Sequence, residues 1–148
     1  MSLQPQRSSR RSSAGSGVAI TAVLLAMLSS APASAGGPTA ERVQEALQHH
    51  VFRTPSGGSF TVASLSGQVV VLHLWATWCA PCRKELPKLD ALNTELAQHG
   101  GQVLAVSIDL VPRNVERFMS QQKLKLPVSV DGPDGLAHEL DVPAIPYT

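Results

Sequence analysis

Seven residues, VVVLHLW from Val69 to Trp75, leave little choice of architecture. A strand with one wet face alternates apolar and polar side chains. This run does not, so it is expected to be a central strand covered on both faces. Three residues on, the chain enters WCAPCRKELPKL, after which Leu86, Leu89, Leu92 and Leu96 share one helical stripe. Gly100 and Gly101 stop that helix near His99, and Pro87 inside it is expected to bend it. QVLAVSID then supplies a second buried strand. PRNVERFMSQQK supplies a second helix, with Pro112 near its start and Val115, Phe118, Met119 and Gln122 on one face. Strand, helix, strand, helix at this spacing predicts an α/β domain, a parallel sheet with helices packed on it.

The flanks are less regular. Pro38 to Phe52 carries Val43, Ala46, Leu47 and Val51 at helical spacing, with Thr39 as the cap and Glu41 in the first turn. TPSGGS reads as a loop and FTVASLSG as a short strand and a turn. LPVSVDGPDG gives an extended piece and a turn, LAHELDV one or two helical turns, and PAIPYT closes the sequence. The expected division is residues 1–35 as a leader, 36–53 as an N-terminal helix and linker, and 54–148 as the main domain.

The leader reading rests on three features in order. Arg7, Arg10 and Arg11 precede an apolar run of 11 residues, Val18 to Leu28, and Ala33-Ser34-Ala35 follows. Basic flank, short apolar stretch and small-x-small site describe a secretory signal. The run is far short of the ~20 residues that cross a bilayer, although an uncleaved leader would still tether the chain. Beyond residue 35 the balance is 9 basic against 11 acidic side chains. That excludes binding of nucleic acid by bulk charge.

Cys79 and Cys82 are the only cysteines. Export makes the pair unlike a cytosolic one, because thiols outside the cytoplasm oxidise unless something reduces them. At a strand-to-helix junction Cys79 would lie at the helix start, where free N–H groups and the macrodipole favour an anion, so it is the candidate attacking thiolate. Cys82, one turn further in and better shielded, would close the ring, and Pro81 stiffens the loop. A structural disulfide would close too small a loop to stabilise much. A zinc site would need two further ligands, and His49 and His50 are adjacent and far upstream. A peroxidatic cysteine wants Thr three residues before it, where Ala76 stands.

The segment VVVLHLWATWCAPCRKELPKL resembles the active-site segment of the thioredoxin superfamily, and within it the TlpA-like exported thiol–disulfide oxidoreductases. The likeness runs from about Phe52 to Thr148, with GGSFTVASLSGQ matching the lead-in hairpin and VLAVSID the second strand. It implies a thioredoxin-like mixed sheet flanked by helices. It also implies catalysis by a redox-active Cys79–Cys82 disulfide with no metal or organic cofactor. The implied partners are disulfide-containing exported proteins, apocytochrome c among them, and a membrane dithiol electron donor; the chain is expected to be a monomer. Pro146 matches the proline whose preceding bond, Ile145–Pro146, is cis in this family. Trp78, Pro81, Ile145 and Pro146 would shape the substrate groove, with Tyr147 standing where Thr is common. Trp75 and Trp78 are otherwise expected to be core and shielding aromatics.

Two further residues gain roles by the same likeness. Glu85, one turn past Cys82, would tune and deprotonate the resolving thiol, and the alternative is a solvated first-turn acid. His73 stands where thioredoxin has a buried acid and would relay the Cys82 proton, the alternative being a satisfied core histidine. The Ala-Pro dipeptide resembles the Gly-Pro of thioredoxin, near about −270 mV, more than that of oxidising relatives near about −120 mV. A reductant is therefore expected. The alternatives are an oxidase or isomerase on the same scaffold and a binding module with inert cysteines. The family's last hairpin strands and C-terminal helix have no counterpart after Thr148, so an incomplete domain with poor solubility and a broad melt is expected.

Overall fold

The computed structural model describes residues 37–148, and the leader expected over residues 1–35 lies outside the described residues. Thr39 caps α1 (Ala40–His49), its hydroxyl accepting from the Arg42 N–H at 3.4 Å. This satisfies an amide that the helix start would otherwise strand. The helix does not continue to Phe52 as its apolar spacing predicts. Val51–Arg53 is instead β1, paired antiparallel with β2 (Ser59–Thr61) across the expected TPSGGS loop. The cause is non-local. Phe52 is fully buried and stacks on its cross-strand partner Phe60, ring centroids 5.2 Å apart, and such a pair outweighs a further helical turn. A 3₁₀ turn, Val62–Leu65, follows.

The main sheet has the order β3-β4-β5, parallel throughout, with β3 at Val69–Trp75, β4 at Gly101–Ser107 and β5 at Val128–Val130. Among these strands β4, and not β3, takes the middle place. The outer edge of β3 carries an isolated antiparallel bridge, Leu74 with Tyr147, through backbone bonds of 2.8 and 3.3 Å. Cover over β3 is correspondingly uneven. Val69 is 67% exposed, whereas His73, Leu74 and Trp75 at the other end are fully buried.

Strand alternation divides the core between the two faces. Trp75, Val103 and Ala105 face α2 (Ala80–Ala97) and α3 (Pro112–Gln122), meeting Cys82, Leu86 and Val115. Leu89, Leu92 and Leu96 complete that layer, so the leucine stripe lies where its spacing predicts. Leu74, Leu104 and Val106 face the other way, onto Ala46, Phe52 and the Leu136 and Leu140 of α4 (Leu136–Glu139) and its cap. Full burial of a side chain such as Leu86 is worth about 1.5–3 kcal/mol. Pro87 lies inside α2 as expected. Gln122 departs from expectation and is exposed. The chain turns left-handed at Lys123 (φ 57°), and Leu124 returns to the core in its stead, its N–H bonded to the Met119 carbonyl at 3.0 Å.

Candidate active site

β3 ends at Trp75 and α2 begins at Ala80, which leaves four residues to reverse the chain. They form a tight turn closed by the Cys79 N–H donating to the Ala76 carbonyl at 3.1 Å, with Thr77 and Trp78 at its centre. Cys79 is thereby the N-cap of α2, and Pro81 falls in the first turn, where its missing N–H costs nothing. Cys79 and Cys82 are joined in a disulfide, their Cα atoms 5.3 Å apart. The Cys82 N–H donates to the Cys79 sulfur at 3.3 Å. Cys82 has no exposed surface and Cys79 has 6%. Both cysteines pack in the cluster that holds Leu86 and Trp75, and the small exposure of the pair falls on Cys79 at the helix start, where an anion is favoured.

His73 lies on the Trp75 side of β3, wholly buried. Its Nδ1 is 2.7 Å from the Thr148 hydroxyl, while its Nε2 has no hydrogen-bond partner, nor has the Trp75 indole N–H. Burial pushes the imidazole below its ordinary pKa, and the Glu85 carboxylate acts against this without reversing it. His73 is thus only half satisfied as a core residue. Glu85 is exposed on α2 and is felt at the ring as charge.

Trp78 corrects an expectation. It is 67% exposed and outside the buried core, because a central turn residue escapes the alternation that buries Trp75. Its ring walls a groove of about 420 Å³ with Ile108, Pro133, Ala137, His138, Val142, Ala144 and Ile145. Trp78 and Ile145 therefore line one groove. Pro81 and Pro146 do not line it: Pro81 is exposed on the first turn of α2, and Pro146 is half-buried one residue beyond the wall. The Ile145–Pro146 peptide bond is cis. Sequence reasoning missed the far wall, supplied by the turn after β5 and by α4, since nothing local in GPDGLAHEL marks it. It also missed Asp109, although a polar residue at the C-terminal end of a parallel strand is where α/β sites gather.

Among the described residues, no group of three or more His, Cys, Asp or Glu side chains is placed to hold a metal ion. No helix of the described residues is long and apolar enough to cross a membrane.

With strand, turn, disulfide and cis-proline loop in place, comparison with known proteins decides the family. Residues 43–148 match the AhpC/TSA family. The chain belongs to that family. The thiol-disulfide oxidoreductase ResA of Bacillus thuringiensis (strain Al Hakam) is 35% identical over 75 residues, 51% of this chain and 43% of that protein. The ResA of Geobacillus thermodenitrificans (strain NG80-2) is 29% identical over 110 residues, 74% of this chain and 63% of that one. This member of the AhpC/TSA family thus spans between two fifths and two thirds of the length of these relatives. Among solved structures, a secreted Mycobacterium tuberculosis disulfide oxidoreductase homologous to E. coli DsbE matches with a TM-score of 0.59 at 26% identity, covering 73% of this chain and 75% of the other. StoA from Bacillus subtilis matches with a TM-score of 0.55 at 27% identity, covering 66% and 74%. The thioredoxin-like fold expected of the sequence is the fold these relatives share.

Proposed function

We propose that the chain is an exported thiol–disulfide oxidoreductase that works as a dithiol reductant of protein disulfides. The observation that carries this reading is the Cys79–Cys82 disulfide at the start of α2, with Cys79 as the helix N-cap and Cys82, one turn further in, without exposed surface. In the reduced protein the Cys79 thiolate attacks one sulfur of a substrate disulfide. The substrate S–S bond breaks, its second sulfur leaves as a thiolate that takes up a proton, and a mixed disulfide joins Cys79 to the substrate. Cys82 loses its proton and attacks the Cys79 sulfur, forming the intramolecular disulfide and releasing the second substrate thiolate. The substrate gains two electrons and the pair loses two. An external dithiol donor, expected at the membrane, restores the reduced state.

In this reading His73 and Glu85 handle the Cys82 proton. The support is the unpartnered Nε2 on a buried ring and the carboxylate charge felt there. Trp78 and Ile145 wall the groove that takes the substrate chain, and apocytochrome c before haem attachment is the candidate substrate. The similarity to a secreted Mycobacterium tuberculosis disulfide oxidoreductase and the basic-apolar-small order of residues 1–35 support export.

The test is the Cys79–Cys82 reduction potential, measured by equilibration against defined thiol buffers. The reductant reading expects a value near that of thioredoxin, about −270 mV. A value above about −180 mV would instead make the protein an oxidant or isomerase.

A further inference from the structure

The turn that presents Cys79 is held from outside its own segment. Asp109, two residues past the end of β4, is 4% exposed, and both its carboxylate oxygens are used. Oδ2 accepts from the Thr77 N–H at 2.8 Å and from the Ser107 hydroxyl at 2.6 Å. Oδ1 accepts from the Thr77 hydroxyl at 2.6 Å. The Asp109 N–H donates in turn to the Ser107 hydroxyl oxygen at 3.1 Å, so the carboxylate is itself braced from β4. Thr77 is the first central residue of the turn whose closing bond belongs to Cys79. One buried carboxylate therefore grips the turn by both a backbone and a side-chain donor. Charge-assisted bonds of this kind are short and about twice as strong as neutral ones.

We propose that Asp109 is a positioning residue: by gripping Thr77 it fixes where the Cys79 sulfur stands and holds the Trp78 ring outward against the substrate groove. The proposal rests on the reductase reading for its substrate, and the grip itself is independent of it. Without the grip, the Thr77 N–H and hydroxyl lose their acceptor and the turn between β3 and α2 is free to re-form. Nucleophilic displacement at sulfur needs the attacking atom in line, and misplacement by about 1 Å can cost on the order of 100-fold in rate.

Two substitutions separate grip from charge. In Asp109→Asn the amide oxygen can take the Thr77 N–H and the Ser107 hydroxyl, while the amide N–H₂ donates to the Thr77 hydroxyl oxygen. Geometry is kept and charge is lost. Asp109→Ala loses both. Single-turnover reduction of a model disulfide is expected to slow by about ten-fold or more in the Ala variant and to stay within about two-fold of wild type in the Asn variant. The pH midpoint of Cys79 alkylation and the quenching of Trp78 emission, read against Trp78→Phe, should move in the Ala variant only. A purely structural role would lower the melting temperature and leave the midpoint and quenching alone, and that outcome overturns the proposal. Equal slowing in both variants also overturns it, since charge and not the grip would then be responsible. If the Ala variant fails to fold, Thr77→Val removes only the hydroxyl arm, and an unchanged rate and midpoint there is contrary to the proposal. Wild-type protein that reduces no disulfide would defeat the reductase reading, while the midpoint and quenching still judge Asp109.

Discussion

His73 has no exposed surface, and it has a titration to account for. Its pKa lies below the ordinary value because burial disfavours the imidazolium, with Glu85 opposing. The unfolded chain therefore binds the proton more readily than the folded one, and stability rises with pH across that interval. The oxidised protein is expected to lose stability as pH falls from about 6.5, the free imidazole value, toward the lower folded value. His73→Leu should flatten that dependence, checked by denaturant midpoints on either side of the interval. A second residue-scale expectation concerns the cysteines. Cys82→Ser should trap a covalent complex with a disulfide substrate, and Cys79→Ser should trap none, as read by non-reducing electrophoresis. At this scale the sequence was legible where spacing alone decides: Cys79 caps α2 and Cys82 follows one helical turn later. The exposure of Trp78 was not legible, because a turn residue's direction depends on what the turn is bonded to, and the Asp109 that bonds Thr77 is 32 positions from it.

Elements were legible in proportion to how local their causes are. The leucine stripe of α2 declares itself through periodicity and β3 through its apolar run. The stripe lies where expected, while β3 is a strand as expected but not the middle one of the sheet. Val51–Arg53 misled because Val51 continues the spacing of α1, while the pairing that makes it a strand runs through Phe60. Long-range polar ties were equally invisible. Asp90 of α2 accepts from the Lys125 and Leu126 N–H groups, both at 2.7 Å, and so anchors the approach to β5. Asp90→Ala is expected to cost about 1–3 kcal/mol, because the amide of the buried Leu126 is left without an acceptor. Leu86→Ala, at the fully buried centre of the stripe, should cost about 2–5 kcal/mol. Equilibrium unfolding of the oxidised protein checks both, and the larger loss should fall on Leu86.

Across the whole molecule, the two faces of one sheet are given different work. The α2–α3 face encloses Cys82, Trp75 and Leu86, while the α1–α4 face carries Phe52, Leu74 and Leu136 and reaches the groove through Ala137 and Val142. Arg42 of α1 binds the Glu139 carbonyl at 2.9 Å and the Asp141 carboxylate at 2.7 Å, tying the first helix to the end of α4. That tie is exposed at both ends, so Arg42→Ala should change stability by no more than about 1 kcal/mol. Fold class was thus readable from the chain, and the groove's second wall was not, because it is assembled from segments that meet only on folding. The central claim is that a helix start makes one sulfur the standing nucleophile. It is tested most directly by alkylating the reduced protein across pH and mapping the adduct by mass spectrometry. The account expects the label on Cys79, with a midpoint well below the free-cysteine value of about 8.5. A Cys79 midpoint at or above that value, or first labelling at Cys82, would contradict it.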